Sequence, residues 1–287
     1  VAALAKAGLQ VDLITTHADV SSKLQVPLNC WIQEQGYRVQ YFSCWHKNDF
    51  IFSRKLLWWL YQHIGDYSLV HTHTVFCPLI SCCHWICRFK KIPYIVTPHG
   101  MLEPWAMSYK SHKKRAYFEF IETPNLLKAA IIQGIASVEA KNIDSLLPGL
   151  NVVCVPNGLE RTDSLPNDKD SDALTSKYPH LKGKKIILFL GRIDPKKGLD
   201  LLAPAFAKAC RRFPDIHLVV AGPDNIGFQP TAEKYFLAAG IADAVTFTGM
   251  LQGKLKQSAL EEASIYVAPS YSEGFSMSIL EGMAAGL

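Results

Sequence analysis

KKIILFLGRIDPKKG, Lys184–Gly198, is the stretch on which the reading of this chain turns. Ile186–Leu190 is a continuous apolar run without alternation, the pattern of a strand covered by helices on both faces. It ends at Gly191. A turn carrying Arg192, Lys196 and Lys197 follows and closes at Gly198, and an apolar helix is expected over Leu199–Arg212. Strand, glycine-bracketed turn and helix in that order form the unit of a doubly wound α/β sheet, in which ligands collect at the carboxyl ends of the strands.

The same unit recurs in both directions. Towards the C-terminus IHLVVAGP, AVTFTGM and SIYVAPS are strands followed by helices, the last helix over Ser276–Ala285. Towards the N-terminus the strands are Val11–Thr15, YRVQYFSC, SLVHTHT, PYIVTPHG, AAIIQGIAS and LNVVCVPNG. Between them lie FSRKLLWWLYQHI as a helix, VFCPLISCCHWICRF as a buried helix, a basic helix from Trp105 to Leu127, and VEAKNIDSLL. The polar segment Leu159–Lys185 reads as a linker with an entry helix. The fold class is therefore α/β, with two doubly wound Rossmann-like domains over residues 1–163 and 164–287.

Bulk properties agree with this and exclude other classes. A chain of 287 residues outgrows a single core. A net charge of +5 is mild and gives no argument for nucleic acid. No apolar run reaches the ~18 residues of a membrane span. The longest apolar stretch, Val75–Phe89, is broken by Pro78, His84 and Arg88. CCHWIC, Cys82–Cys87, lacks a second ligand pair at finger-like spacing, so free buried thiols in a reducing cytosol are the better reading than a metal site. The chain starts without Met, inside what reads as the tail of a helix.

The chemistry is concentrated at two strand ends. Gly191 lets backbone approach a ligand, Arg192 can fork onto phosphate oxygens, and Lys197 is a point charge beside a helix start. The alternative is a solvated turn with ordinary surface lysines. The stretch is neither GxxxxGK[ST] nor GxGxxG. After SIYVAPS comes Tyr271–Phe275, with Glu273 at the mouth, the amides of Gly274, Phe275, Ser276 and Met277 at the next helix start, and Glu281 inside that helix. Carboxylates accept two hydroxyls at once, as a sugar or ribose diol requires. The plainer reading makes Glu273 a helix-start charge and Glu281 a solvated helix residue.

GRIDPKKG, VVAGP, VTFTGML and APSYSEGFSMSILEGMA, in that order, resemble the donor half of the GT-B glycosyltransferases, and most closely the retaining family 4. Glu273 and Glu281, with seven residues between them, match the E-x7-E motif of that family. TPHGMLEPWAMSYKSHKKR is similar to its members that build exopolysaccharide and other surface glycans, and Pro156–Glu160 is similar to the turn closing the first domain. The resemblance implies a retaining hexosyltransferase acting in the cytoplasm on a UDP- or GDP-linked sugar and a glycan or lipid-linked acceptor. It implies no cofactor and no metal, because Arg192 and Lys197 match the pair that binds the donor diphosphate. By the same resemblance Glu281 holds the ribose, Glu273 and the amides of Gly274–Ser276 face the transferred sugar, and Met250 and Leu251 flank the base. His99 faces the sugar from the first domain. Glu103, Lys113 and Lys114 are candidates for the acceptor side.

Several readings stay open here. A sugar-nucleotide epimerase of the same fold would use the same nucleotide site without an acceptor. A binding module would keep the nucleotide and lack catalysis. His71 and His73 stand at a strand end as candidate ligand contacts. Trp58 and Trp59 read as core or interface. The aromatic and basic stretch Trp105–Phe120 is a candidate for contact with anionic headgroups at the inner face of the plasma membrane, or a solvated helix face. Position 276 is Ser where the family commonly has Gly; a Ser there can cap the helix. The family's first strand, its Gly-rich loop and its closing elements are expected outside residues 1–287, as for an internal fragment of a longer enzyme that is inactive and poorly stable by itself.

Overall fold

The computed structural model describes residues 1–19, 23–47, 50–108, 111–159 and 172–287; the side chains of residues 47, 105, 108 and 111–113 are also outside the description. The chain divides into two compact units, Val1–Pro156 and Asn157–Leu287. The expected boundary after residue 163, and Glu160 of the closing turn, lie outside the described residues.

In the first unit β1 (Asp12–Thr16) runs parallel to β3 (Arg38–Phe42), and β2 (Trp31–Gln33) pairs antiparallel on the other side of β3. A short antiparallel ribbon joins β4 (Trp45–Lys47) to β5 (Phe50–Phe52). A second sheet holds β6 (Val70–His73), β7 (Tyr94–Thr97), β8 (Ile131–Gly134) and β9 (Val152–Cys154), parallel and adjacent in that order. Val96, Ile132 and Tyr94 of this sheet are fully buried against Cys87, Ile143 and Leu126 of its helices.

The helix Arg54–His63 opens at Ser53, whose hydroxyl accepts from the Leu56 amide at 3.1 Å, an N-cap that satisfies one orphan donor. Pro78 at the start of the helix Pro78–Lys90 and Lys91 at φ 59° beyond its end mark that helix's limits.

In the second unit β10 (Lys185–Leu190), β11 (Ile216–Ala221), β12 (Val245–Gly249) and β13 (Ala263–Tyr266) are all parallel, in the order β12-β11-β10-β13. Every residue of β11 is buried, His217 included, as its place inside the sheet between β10 and β12 requires. Helices Leu199–Cys210 and Gln229–Ala238 pack on the sheet through Leu202, Phe206, Ala232 and Phe236.

Five expectations are corrected. The basic helix expected over Trp105–Leu127 is helical over Pro104–Ser108 and from Ser111 to Leu126, but its winding widens to a π-helical turn over Phe118–Glu122. Pro124 has no N–H for the α-helical ladder, and the wider turn precedes it. The helix Pro78–Lys90 is not wholly buried: Trp85 is 59% and Phe89 61% exposed. Strand SIYVAPS ends at Tyr266, not Ser270. β2 and the β4–β5 ribbon fall where the sequence predicts no strand, their runs being too short to show a period. All eight cysteines are free, but Cys30 and Cys154 are exposed.

Candidate functional site

The carboxyl end of β10 is shaped by glycine. Gly191 continues the pairing by donating to the Ala221 carbonyl at 2.9 Å. Gly222, at φ 154°, lies so close that a Cβ would meet the Gly191 carbonyl oxygen at 1.8 Å. Gly198, at φ 69°, leaves no more room: a Cβ there would stand 2.2 Å from the Pro269 carbonyl oxygen. Only residues without a side chain let the turn after β10 and the loop after β13 lie together in this way.

Between these glycines Asp194 caps the short turn Pro195–Lys197 by accepting from the Lys196 amide at 2.9 Å. The turn aims Lys197 across to the β13 loop, where its Nζ donates to Glu273 Oε1 at 2.5 Å. The lysine side chain is 13% and the glutamate 26% exposed, so the pair is well shielded. Ser270 donates to the same Oε1 at 2.6 Å. Burial alone would raise the Glu273 pKa; the hydrogen bonds from Lys197 and Ser270 and the positive charge nearby outweigh it, and the carboxyl is held below its ordinary value. Tyr271 completes the joint, its amide donating to the Lys196 carbonyl at 2.9 Å and its hydroxyl to Asp200.

Arg192 is the open cation of the group. Its side chain is 61% exposed, and its guanidinium stands 3.5 Å from Asp194. Glu281, on the helix Met277–Ala284, pairs with Lys256 of the helix Gly253–Glu262 at 2.7 Å. Tyr266 ties β10 to the same helix: its hydroxyl donates to the Leu190 carbonyl at 3.1 Å and lies 2.8 Å from the Ser278 hydroxyl. Gly282 permits the contact, since a Cβ there would meet the Tyr266 ring at 3.0 Å.

Gly274 and Phe275 lie in the loop before that helix. Ser276 occupies its N-cap position but makes no capping bond; its hydroxyl is 3.0 Å from that of Ser278. Met250 is 61% exposed, whereas Leu251 is buried among Leu174, Leu181 and Ala259.

The first unit presents a different cluster. His71 and His73 at the end of β6 and His99 after β7 stack at centroid separations of 4.5 and 5.2 Å. His73 Nδ1 lies 2.9 Å from His99 Nε2, and His71 Nε2 lies 2.8 Å from the Thr97 hydroxyl. Loss of surrounding water, with the neighbouring His71 and His99, pushes His73 down to about 4. Loss of water, with His99, also lowers His71. His99 itself sits at φ 53°, an uncommon backbone for a non-glycine residue. The next residue is pinned by Glu139, whose buried carboxylate accepts from the Gly100 amide at 2.5 Å and the Ile135 amide at 2.8 Å.

Of the acceptor-side candidates, Glu103 accepts from Asn142 at 2.5 Å. Lys114 donates to the Ala106 carbonyl at 2.8 Å and lies 5.2 Å from the Phe76 ring centre. The side chain of Lys113 lies outside the described ones. Glu139, Lys256 and Ser270 join the site without a motif of their own. Glu139 opens a helix directly after a strand end, which is a usable signal; nothing in the spacing links Lys256 to Glu281.

Parallel sheets in both units, with charge gathered at the strand ends of the second, define the two-Rossmann-domain GT-B class. Anabaena HepE, solved in complex with UDP and glucose, superposes with a TM-score of 0.69 at 15% identity, over 88% of this chain and 66% of that one. Sucrose-phosphate synthase from Thermosynechococcus elongatus gives 0.72 at 21% identity, over 99% and 71%. These likenesses carry the fold. The chain belongs to Glycosyltransferase Family 4, which matches residues 1–162, and the glycosyl transferases group 1 family matches residues 170–287.

Among curated relatives, the phosphatidyl-myo-inositol mannosyltransferase of Mycobacterium tuberculosis (strain ATCC 25618 / H37Rv) is 30% identical over 237 residues, 81% of this chain and 56% of that protein. The D-inositol 3-phosphate glycosyltransferase of Nocardia farcinica is 28% identical over 232 residues, 77% of this chain and 50% of that protein. The chain thus spans about half the length of the curated relatives it matches. Among the described residues no helix is long and apolar enough to cross a membrane.

Proposed function

We propose that this chain carries the donor site of a retaining glycosyltransferase that moves a hexose from a nucleoside-diphosphate sugar to a glycan or lipid-linked acceptor in surface-glycan synthesis. The observation that carries the reading is the Lys197–Glu273 contact at 2.5 Å, which joins the phosphate-seeking turn to the hydroxyl-seeking loop at one strand end. Arg192 and Lys197 bind the diphosphate and stabilise the charge that develops on it as the sugar leaves, the role a divalent ion has elsewhere. Lys197 can take a phosphate oxygen without abandoning Glu273, since an ammonium has three donors. Glu281 takes the ribose hydroxyls, exchanging its contact with Lys256.

Glu273 is held ionised, so it accepts hydrogen bonds from the transferred sugar and is no proton donor. The acceptor's proton then passes to the leaving diphosphate as the acceptor attacks from the same face, and configuration is retained. The family resemblance gives His99 a sugar-facing role, and its neighbour His73, 2.9 Å away, stays uncharged. UDP-linked and GDP-linked donors both fit this chemistry, and the names of the relatives support a lipid or inositol acceptor as well as a glycan.

The test is incubation of UDP- and GDP-hexoses with the protein, with and without a lipid-phosphate acceptor, followed by NMR of the product's anomeric proton. Acceptor-dependent transfer with an unchanged anomeric configuration supports the proposal. An altered nucleotide sugar formed from the donor alone, an inverted product, or a glycosyl adduct trapped on a carboxylate contradicts it.

A further inference from the structure

Beside the donor site runs a chain of hydroxyls whose direction follows from a missing amide. β13 lies parallel to β10, and Val267 donates to the Leu188 carbonyl at 2.8 Å. Rungs to one neighbour recur at every second residue of a parallel strand, so the next would run from residue 269 to the Leu190 carbonyl. Residue 269 is proline and has no N–H. The Tyr266 hydroxyl takes that place, 3.1 Å from the Leu190 oxygen.

This fixes each proton further along. A carbonyl only accepts, so the Tyr266 proton lies between the two oxygens. The Tyr266 oxygen is then the acceptor for Ser278, 2.8 Å away, and the Ser278 proton is committed to it. Ser278 in turn accepts from Ser276, at 3.0 Å. The chain ends on a Ser276 oxygen whose proton is turned inward and whose lone pairs are left over. They do not cap the helix Met277–Ala284: Ser276 holds the N-cap position, yet its side chain accepts from no helix amide. Ser276 is half-buried, on the loop that also carries Glu273.

An oxygen in this state selects its partner. The oxygens of a diphosphate accept and cannot pair with it, whereas a sugar hydroxyl donates and can. A sugar position stripped of its hydroxyl brings no proton and leaves the serine oxygen desolvated without a partner. Glycine at position 276 would impose no such demand.

We infer that Ser276 is a specificity-determining residue, its hydroxyl accepting from one hydroxyl of the transferred sugar, with Tyr266 and Ser278 as positioning residues that hold it in the accepting state. This rests on the proposed donor site and adds to it a requirement on the sugar, a donating hydroxyl at the position that meets Ser276.

The test is titration calorimetry of the protein with UDP and GDP, then with UDP-glucose, UDP-galactose, GDP-mannose and the analogues of each that lack one sugar hydroxyl. The wild type is expected to bind one analogue about tenfold more weakly than its parent. Ser276→Ala is expected to bind that analogue and its parent alike, with its affinity for free UDP or GDP unchanged. Tyr266→Phe frees the Ser278 proton, so that Ser276 can turn its own outward, and the preference should shrink to about threefold. A variant that had merely loosened the fold would weaken parent and analogue together and leave their ratio unchanged. The inference is overturned, and the donor site left standing, by a wild type that discriminates against no analogue or by a ratio that survives Ser276→Ala. The same holds if Ser276→Ala weakens free nucleotide as much as sugar nucleotide. A ratio untouched by Tyr266→Phe overturns the positioning role. A folded wild type that binds neither UDP nor GDP overturns the donor site and this inference together.

Discussion

The two units each gather polar side chains at the carboxyl ends of their strands, but they do so by opposite physics. In the first, His71, His73 and His99 stack at 4.5 and 5.2 Å, and loss of water keeps His73 neutral down to about 4. In the second, Lys197–Glu273 and Lys256–Glu281 are full charges stored in pairs at 2.5 and 2.7 Å. Stacked imidazoles, with His73 uncharged at neutral pH, can offer hydrogen bonds to a neutral sugar. A cluster of paired charges is ready to re-partner with an anion and a diol. The comparison teaches that one winding of strands and helices can be fitted for two jobs by the residue types at its loop ends.

The largest expected effect breaks the second cluster at its backbone. Gly198→Ala sets a Cβ 2.2 Å from a carbonyl oxygen in a left-handed turn, and about 3 kcal/mol or more of the second unit's stability should be lost. Thermal denaturation with probes in each unit checks this, and the first unit should not respond. Next, Lys197→Ala removes a charge-assisted partner, and nucleoside-diphosphate affinity should fall about 100-fold. Titration calorimetry reads it.

In the first unit Glu139→Gln leaves one of two amides without its carboxylate. A loss of about 1–2 kcal/mol is expected, with faster hydrogen exchange at Gly100 or Ile135.

Acid should separate the units. His73 and His84 are both pushed down to about 4, and His71 is lowered too, from an ordinary 6.5. Between pH 6.5 and about 4 the unfolded chain takes up these protons and the folded one does not, so stability present above pH 6.5 is lost as pH falls. The second unit has His217 in this position, also near 4. Glu273, lowered from 4.5, gives up its contribution only below that value, as pH falls through its folded pKa. Chemical denaturation against pH should therefore show a steeper slope for the first unit above pH 4.5, made shallower by His73→Asn. The smallest effect is expected for Ser276→Gly, a few tenths of a kcal/mol, because its hydroxyl makes no capping bond.

Much of this was legible in residues 184–198 and 263–287. Continuous apolar strands, the Gly directly after β10 and the E-x7-E spacing depend on local chain geometry, and local geometry is what sequence records. The pairing of Lys197 with Glu273 was not legible, because 76 residues separate them and only the order β10-β13 makes them neighbours. The π-helical turn Phe118–Glu122 in the helix Trp105–Leu127 hid behind an unbroken helical period. The exposure of Trp85 and Phe89 hid behind an apolar composition that reads as burial, although their i, i+4 spacing on a helix with basic neighbours was there to be seen.

The measurement that tests the central claim most directly is calorimetric titration of the protein with UDP, GDP and ADP, with and without EDTA, alongside Arg192→Ala. Arg192 is 61% exposed, so its loss should leave the fold intact. Binding of one nucleotide, unchanged by EDTA and lost in the variant, is the result this account predicts. No binding by a folded protein, or binding that EDTA abolishes and Arg192→Ala leaves intact, would contradict it.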